Sequence, residues 1–155
     1  MTKIILSTII ARPIGDVFEY ATEPANWPKW HPASRSVSGA VDHPLAVGEE
    51  VKEEFVAAGR PGSCVWLVTR HVFPRLWSIA TVTPQVRAEI TYRLKEKGGS
   101  TQFERELSYT PLSLWLKAVD FLFLRQRMVD ESRAALEKLK ARLEDPHVKF
   151  PADGL

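Results

Sequence analysis

The sequence predicts an α+β fold: a roughly seven-stranded antiparallel sheet, two short helices after the first strand, and a long C-terminal helix. Three observations lead there. Between Ser34 and Thr110 the chain is a succession of branched and aromatic runs separated by turn residues. From Pro111 to Glu144 no glycine or further proline interrupts it. Near the start, Pro24, Pro28 and Pro32 surround Trp27 and Trp30, and a stretch so rich in proline makes abrupt helical turns rather than one rod.

The elements follow in order. Lys3 to Ala11 is apolar and extended, and Pro13 opens a short helix. Pro24 and Pro28 each suit a first helical turn, which brings Trp27 and Trp30, three apart, near one face. Strands are expected at Val51–Val56, Val65–Thr69, Leu76–Val82, Val86–Leu94 and Thr101–Tyr109, with turns at Gly59–Gly62, Pro74-Arg75, Thr83-Pro84 and Lys97–Ser100. Ala88, Ile90, Tyr92 and Leu94 alternate with Arg87, Glu89, Thr91 and Arg93, so one face is apolar and the other charged. Phe103, Leu107 and Tyr109 share their parity with Arg105, which therefore points inward.

Thr110-Pro111 reads as a cap residue followed by a proline at the first helical position. A helix spanning the whole stretch to Glu144 would be about 51 Å long, so its first turns could form a separate segment. Trp115, Ala118, Leu122, Arg125, Val129, Ser132, Leu136, Leu139 and Leu143 lie along one face. Leu112 to Leu124 holds ten apolar residues. So wide an arc belongs against the core, with a dimer contact or a cavity rim as the alternatives. Residues 1–144 are expected to form one domain, and 145–155, with two prolines and no period, an irregular, peripheral tail.

Composition narrows the function. Twenty-one Lys and Arg against nineteen Asp and Glu are scattered, which argues against a nucleic-acid partner. The apolar run Ile4–Ile10 is short, is interrupted by Ser7 and Thr8, and lacks a cleavage site, so a first strand of a cytoplasmic protein is expected rather than a leader. No run is long enough to span a membrane. Cys64, the one cysteine, fits a reducing compartment and reads as a buried strand thiol. The histidines at 31, 43, 71 and 147 have no ligand spacing, and there is no phosphate loop, nucleophile elbow or paired-carboxylate signature. No metal or other cofactor is expected.

Ile10-Ala11-Arg12-Pro13 with Val17-Phe18, Asn26-Trp27-Pro28 with Trp30, Gly48 before the third strand, and Ala135 to Lys140 together resemble the SRPBCC superfamily, the START-like, polyketide-cyclase-like and pollen-allergen-like helix-grip proteins, across residues 1–144. The resemblance implies a curved sheet wrapped around the C-terminal helix, with an apolar cavity between them that takes lipids, polyketides or other hydrophobic compounds. Some members are cyclases or aromatases. The fold does not choose among these uses.

Such a cavity would be lined by Phe55, Ile90, Tyr92, Phe103 and Tyr109 from the strands, by Trp30, and by Leu122 and Val129 from the helix. A buried guanidinium must be paired, so Arg105 is expected to meet either Glu53, which shares the inward parity of Val51 and Phe55, or a bound acid. Arg125 lies within the helix's apolar stripe and faces either the cavity or, with its stem packed, solvent. One of Arg70 and His71 points inward, and periodicity does not say which. His31 is either an acid or base near neutral pH or a surface-loop residue. The leading expectation is a binder of a small hydrophobic molecule, one that can carry an acidic group. The alternatives are a cyclase- or dehydratase-like enzyme built on Arg105 with Tyr92, Tyr109 or His71, and an interaction module or homodimer through residues 112–124.

Overall fold

The computed structural model describes residues 1–119, 123–148 and 150. Strand β1 (Thr2–Ile10) leads to helix α1 (Ile14–Thr22), a 3-10 turn (Pro24–Asn26) and the single turn α2 (Trp27–Trp30). Six strands follow: β2 (Ser34–Gly39), β3 (Glu50–Ala57), β4 (Arg60–Val72), β5 (Leu76–Val82), β6 (Val86–Lys97) and β7 (Ser100–Pro111). Among the described residues the helical segments α3 (Leu114–Val119) and α4 (Arg125–Glu144) follow. All strand pairs are antiparallel, in the order β1-β7-β6-β5-β4-β3-β2. The first strand thus pairs with the last, and α1 and α2 carry the chain from one sheet edge to the other.

Local chemistry explains the turns. Pro13 precedes α1, and Pro24 and Pro28 each stand in a first helical turn, where a missing N–H costs nothing. Trp27 Nε1 donates to Ala21 O (3.0 Å) and Asn26 Nδ2 to Tyr20 O (3.1 Å), which ties the proline-broken turns to α1. Gly98 and Gly99 both have positive φ, as the two-residue β6–β7 hairpin requires.

The inner face of α4, with Ser132, Ala135, Leu136, Leu139 and Leu143 buried, packs against β1 and α2 inside the curved sheet. The inward parity of β7 holds: Phe103, Arg105, Leu107 and Tyr109 are all buried. On β6 the outer face is less wet than its charges suggest, because Thr91 is buried there. Ser78 Oγ lies 2.9 Å from Thr91 Oγ1, and Arg70 roofs both, donating through Nε to Ser78 and through Nη2 to Thr91.

Several expectations are corrected. Pro111 ends β7, paired with Val86, rather than opening a helix. The cap is Ser113, whose Oγ accepts from Leu116 N–H (3.1 Å). The long C-terminal helix is present as α4, entered through Phe123 and Leu124 in a π turn, and the predicted site residue Leu122 falls outside the described residues. The apolar front is core only in part: Leu112, Leu114, Trp115 and Phe123 are exposed, while Leu124 packs against the core. The tail is not wholly peripheral, since Phe150 is buried with the Arg12 guanidinium 3.9 Å from its ring centroid. Among the described residues no helix is long and apolar enough to cross a membrane.

Candidate functional site

A cavity of about 230 Å³ lies between the inner face of the sheet, α2 and α4, with walls that are almost entirely apolar. Small side chains in its wall (Ala33, Ala57, Cys64 and Ala88) leave the space unfilled. Of the residues expected there, Trp30, Glu53, Phe55 and Ile90 line it, as do Tyr92, Arg105 and Tyr109. Phe103 stands behind the wall, its ring centroid 5.0 Å from that of Tyr92. Val129 packs against the core beside the cavity but does not face it. Arg125 is exposed at the start of α4, away from the cavity.

Arg105 is the polar centre of the site. It is 4% exposed, and β7 aims it at α4, where Nη1 donates to Ser132 Oγ (3.0 Å). Nη2 lies 3.2 Å from His31 Nε2. The expected direct pair with Glu53 is not formed. Glu53 Oε1 instead accepts from Trp66 Nε1 (3.1 Å), and Arg105 makes no ion pair with any described carboxylate. Glu53 acts on Arg105 through space only.

His31 is the residue that sequence reasoning placed least well. The turn after α2 carries it into the cavity wall, where Ala33 N–H points at Nδ1 (3.1 Å) while Arg105 approaches Nε2. A neutral imidazole has one acceptor nitrogen, so only one of these two donors is satisfied at a time. Burial, and then the Arg105 charge, hold its pKa well below the ordinary histidine value. His31 is therefore neutral at physiological pH and adds no second positive charge beside Arg105.

Burial also shifts three other titratable groups of the cavity toward their uncharged forms. Burial pushes the Tyr92 phenol up to about 12, outweighing the opposing effect of Arg105. Burial, then Glu53, push the Cys64 thiol up to about 12, so it is a packing residue rather than a nucleophile. Burial raises the Glu53 pKa against the pull of Trp66 and Arg105.

A folded-state pKa above the unfolded value means that Glu53 favours folding below the unfolded pKa, and that this contribution is lost as pH rises through the folded pKa. Glu53→Gln is therefore expected to be more stable than the wild type at neutral pH, with the difference vanishing below about pH 4, near the unfolded carboxylate value. Urea unfolding across that range checks this. A Gln variant that is less stable at neutral pH would show that attraction to Arg105 outweighs burial.

Four buried side-chain atoms on cavity-lining residues have no hydrogen-bond partner: Trp30 Nε1, Arg105 Nε, Glu131 Oε2 and Ser34 Oγ, the last beside Glu53 but out of hydrogen-bonding geometry. Buried polar groups are normally satisfied, so this concentration in one cavity marks where a ligand's polar atoms would add contacts. Glu131 is held by its other oxygen, which accepts from Ala58 N–H (2.8 Å) at the tip of the β3–β4 hairpin.

Neither Arg70 nor His71 reaches the cavity. Trp66 and Val68 point inward, and continued alternation would bring Arg70 in, but the register shifts between Val68 and Arg70 and sends Arg70 to the outer face. His71 turns toward the loop before β3, with Nδ1 2.7 Å from Leu45 O and its ring edge-on to Phe18. Among the described residues no cluster of three or more His, Cys, Asp or Glu could hold a metal.

Comparison with solved structures places this geometry among known folds. A protein from Thermus thermophilus matches with a TM-score of 0.71 at 14% identity over 92% of this chain and 97% of its own. The major latex-like protein 151 of Panax ginseng gives 0.68 at 15% identity over 92% and 97%. The di-domain ARO/CYC BexL from the BE-7585A biosynthetic pathway gives 0.65 at 21% identity over 93% of this chain and 47% of its own, so the chain matches about half of that protein. At these identities the likeness concerns the fold. No curated protein matches the sequence significantly. The model of one sequence family, described as polyketide cyclase / dehydrase and lipid transport, matches residues 1–144, and the chain belongs to that family, within the SRPBCC superfamily that its opening residues resemble.

Proposed function

We propose that this protein binds a small hydrophobic molecule in the cavity between sheet, α2 and α4, with an oxygen acceptor of that molecule, a carboxylate or similar group, facing Arg105. One observation carries the reading: a buried guanidinium in an apolar cavity, bonded to a serine and a neutral histidine but to no carboxylate among the described residues. A cation so placed gains most from an anionic or strongly accepting partner. The family description and the ARO/CYC likeness support a hydrophobic ligand without naming it. The lone buried thiol suits a reducing, cytoplasmic setting.

The test compares an aromatic carboxylic acid such as naphthoic acid with its methyl ester, on the wild type and on Arg105→Met. The acid is expected to lose about 10- to 100-fold in affinity and the ester less than about threefold. Because Arg105 has no direct carboxylate partner among the described residues, the variant should fold with stability within about 2 kcal/mol of the wild type. Equal losses for acid and ester, or none, would sink the assignment of Arg105.

A second reading rests on His31 and Arg105 lying side by side. A cyclase- or dehydratase-like reaction would use the guanidinium to stabilise an enolate and His31 to move a proton. Binding is preferred because the free lone pair of His31 is already faced by a donor from one side or the other. A rate enhancement with poly-β-ketone substrates that His31→Ala abolishes, with folding intact, would reverse that preference.

A further inference from the structure

Large apolar side chains are exposed on both sides of residues 119–122, within one stretch of chain that also lines the cavity. Leu114 is 84% exposed, Phe123 66%, Trp115 54% and Leu112 41%. Pro111, Leu116, Leu124 and Met128 of the same stretch line the cavity from inside. Alternate side chains thus face the ligand space and the solvent.

The surroundings of this patch are basic. The Arg60 guanidinium, at the β3–β4 hairpin, stands 4.1 Å from the Trp115 ring centroid, and Arg127 lies against Gly59 of the same hairpin. Lys117 and Arg125 are exposed on α3 and α4. From Pro111 to Val129 the sequence has three basic residues and one acid, Asp120, which lies outside the described residues. Of the described acids that follow in α4, Asp130 meets Gln126 and Arg133, and Glu131 lines the cavity and accepts from Ala58 N–H.

We propose that α3, the start of α4 and the β3–β4 hairpin dock this protein on an anionic lipid bilayer. Leu114, Trp115 and Phe123 enter the interface, while Arg60, Lys117, Arg125 and Arg127 lie among the headgroups. Aromatic and aliphatic tips ringed by cations match the chemistry of such a surface. A second copy of the chain fits less well, because a two-fold contact would set each cluster of cations against its own image. The position of the patch over the cavity gives docking a use: a hydrophobic ligand would pass between bilayer and cavity without crossing water. That use rests on the ligand-binding reading; the docking itself does not.

The experiment is sedimentation of the full chain with vesicles of phosphatidylcholine alone and of phosphatidylcholine with phosphatidylglycerol, at low and high salt and without added ligand. The wild type is expected to pellet with the anionic vesicles at low salt, and at least about tenfold less with the neutral ones or at high salt. Leu114→Asp and Phe123→Asp should each lose about tenfold or more of this binding with unchanged melting temperature, since both side chains are already in solvent. Lys117→Glu should weaken binding to anionic vesicles alone. A wild type that stays in the supernatant with anionic vesicles would overturn the proposal. So would variants that pellet as well as the wild type, or a gel-filtration dimer split by Leu114→Asp. The acid and ester titrations in vesicle-free solution are untouched by any of these results.

Discussion

Replacing Trp77 by alanine is expected to lower the free energy of unfolding by about 3–5 kcal/mol, the range for deleting a fully buried aromatic side chain. Trp77 is wholly buried on β5, stacked on Tyr92 with centroids 5.1 Å apart and edge-on to Trp27 at 6.1 Å. Its Nε1 also donates to Leu45 O (3.0 Å), so one side chain joins the sheet, α2 and the loop before β3. Trp77→Phe, which keeps a ring but drops that donor, should cost about 1–3 kcal/mol less than the alanine variant. Urea denaturation reads both. An alanine variant within about 1 kcal/mol of wild type would mean that this aromatic group is not the centre of the core.

Filling the cavity should separate binding from folding. Ala88 faces inward on β6, beside Thr81 of β5 and Tyr109 of β7, and its small side chain leaves part of the wall open. Ala88→Phe places a ring in existing space, so stability should stay within about 1–2 kcal/mol of the wild type. Affinity for an apolar anion such as anilinonaphthalene sulfonate, followed by fluorescence, should fall on the order of 100-fold, which corresponds to about 2.7 kcal/mol. Undiminished probe binding would place the probe somewhere other than this cavity.

Where the chain alternates regularly, its sequence discloses the site. Arg105 could be placed inside because Phe103, Leu107 and Tyr109 share its parity on a strand paired on both sides. Glu53 followed from Val51 and Phe55 in the same way, although its partner did not: which atoms meet across a cavity depends on side-chain reach, and Glu53 reaches Trp66 before Arg105. Ser132 stood out as a polar residue in an apolar stripe, and the structure bonds it to Arg105.

Other features leave no period to read. His31 lies in the connection between α2 and β2, where position is set by the turn that the prolines impose, and only the assembled core shows that this turn meets β7. The exchange of Arg70 for His71 depends on a register shift inside β4, and no glycine or proline marks it. An apolar run predicts burial by whatever is nearest, so the exposure of Leu114, Trp115 and Phe123 becomes visible only in the folded chain.

The most direct test of the ligand-binding account is native mass spectrometry of freshly purified protein, followed by denaturation and identification of whatever is released. The account predicts a bound hydrophobic compound small enough for the cavity, carrying at least one oxygen acceptor, and absent from Arg105→Met prepared in parallel. Protein that arrives empty, and whose melting temperature no hydrophobic acid or neutral analogue raises, would contradict it.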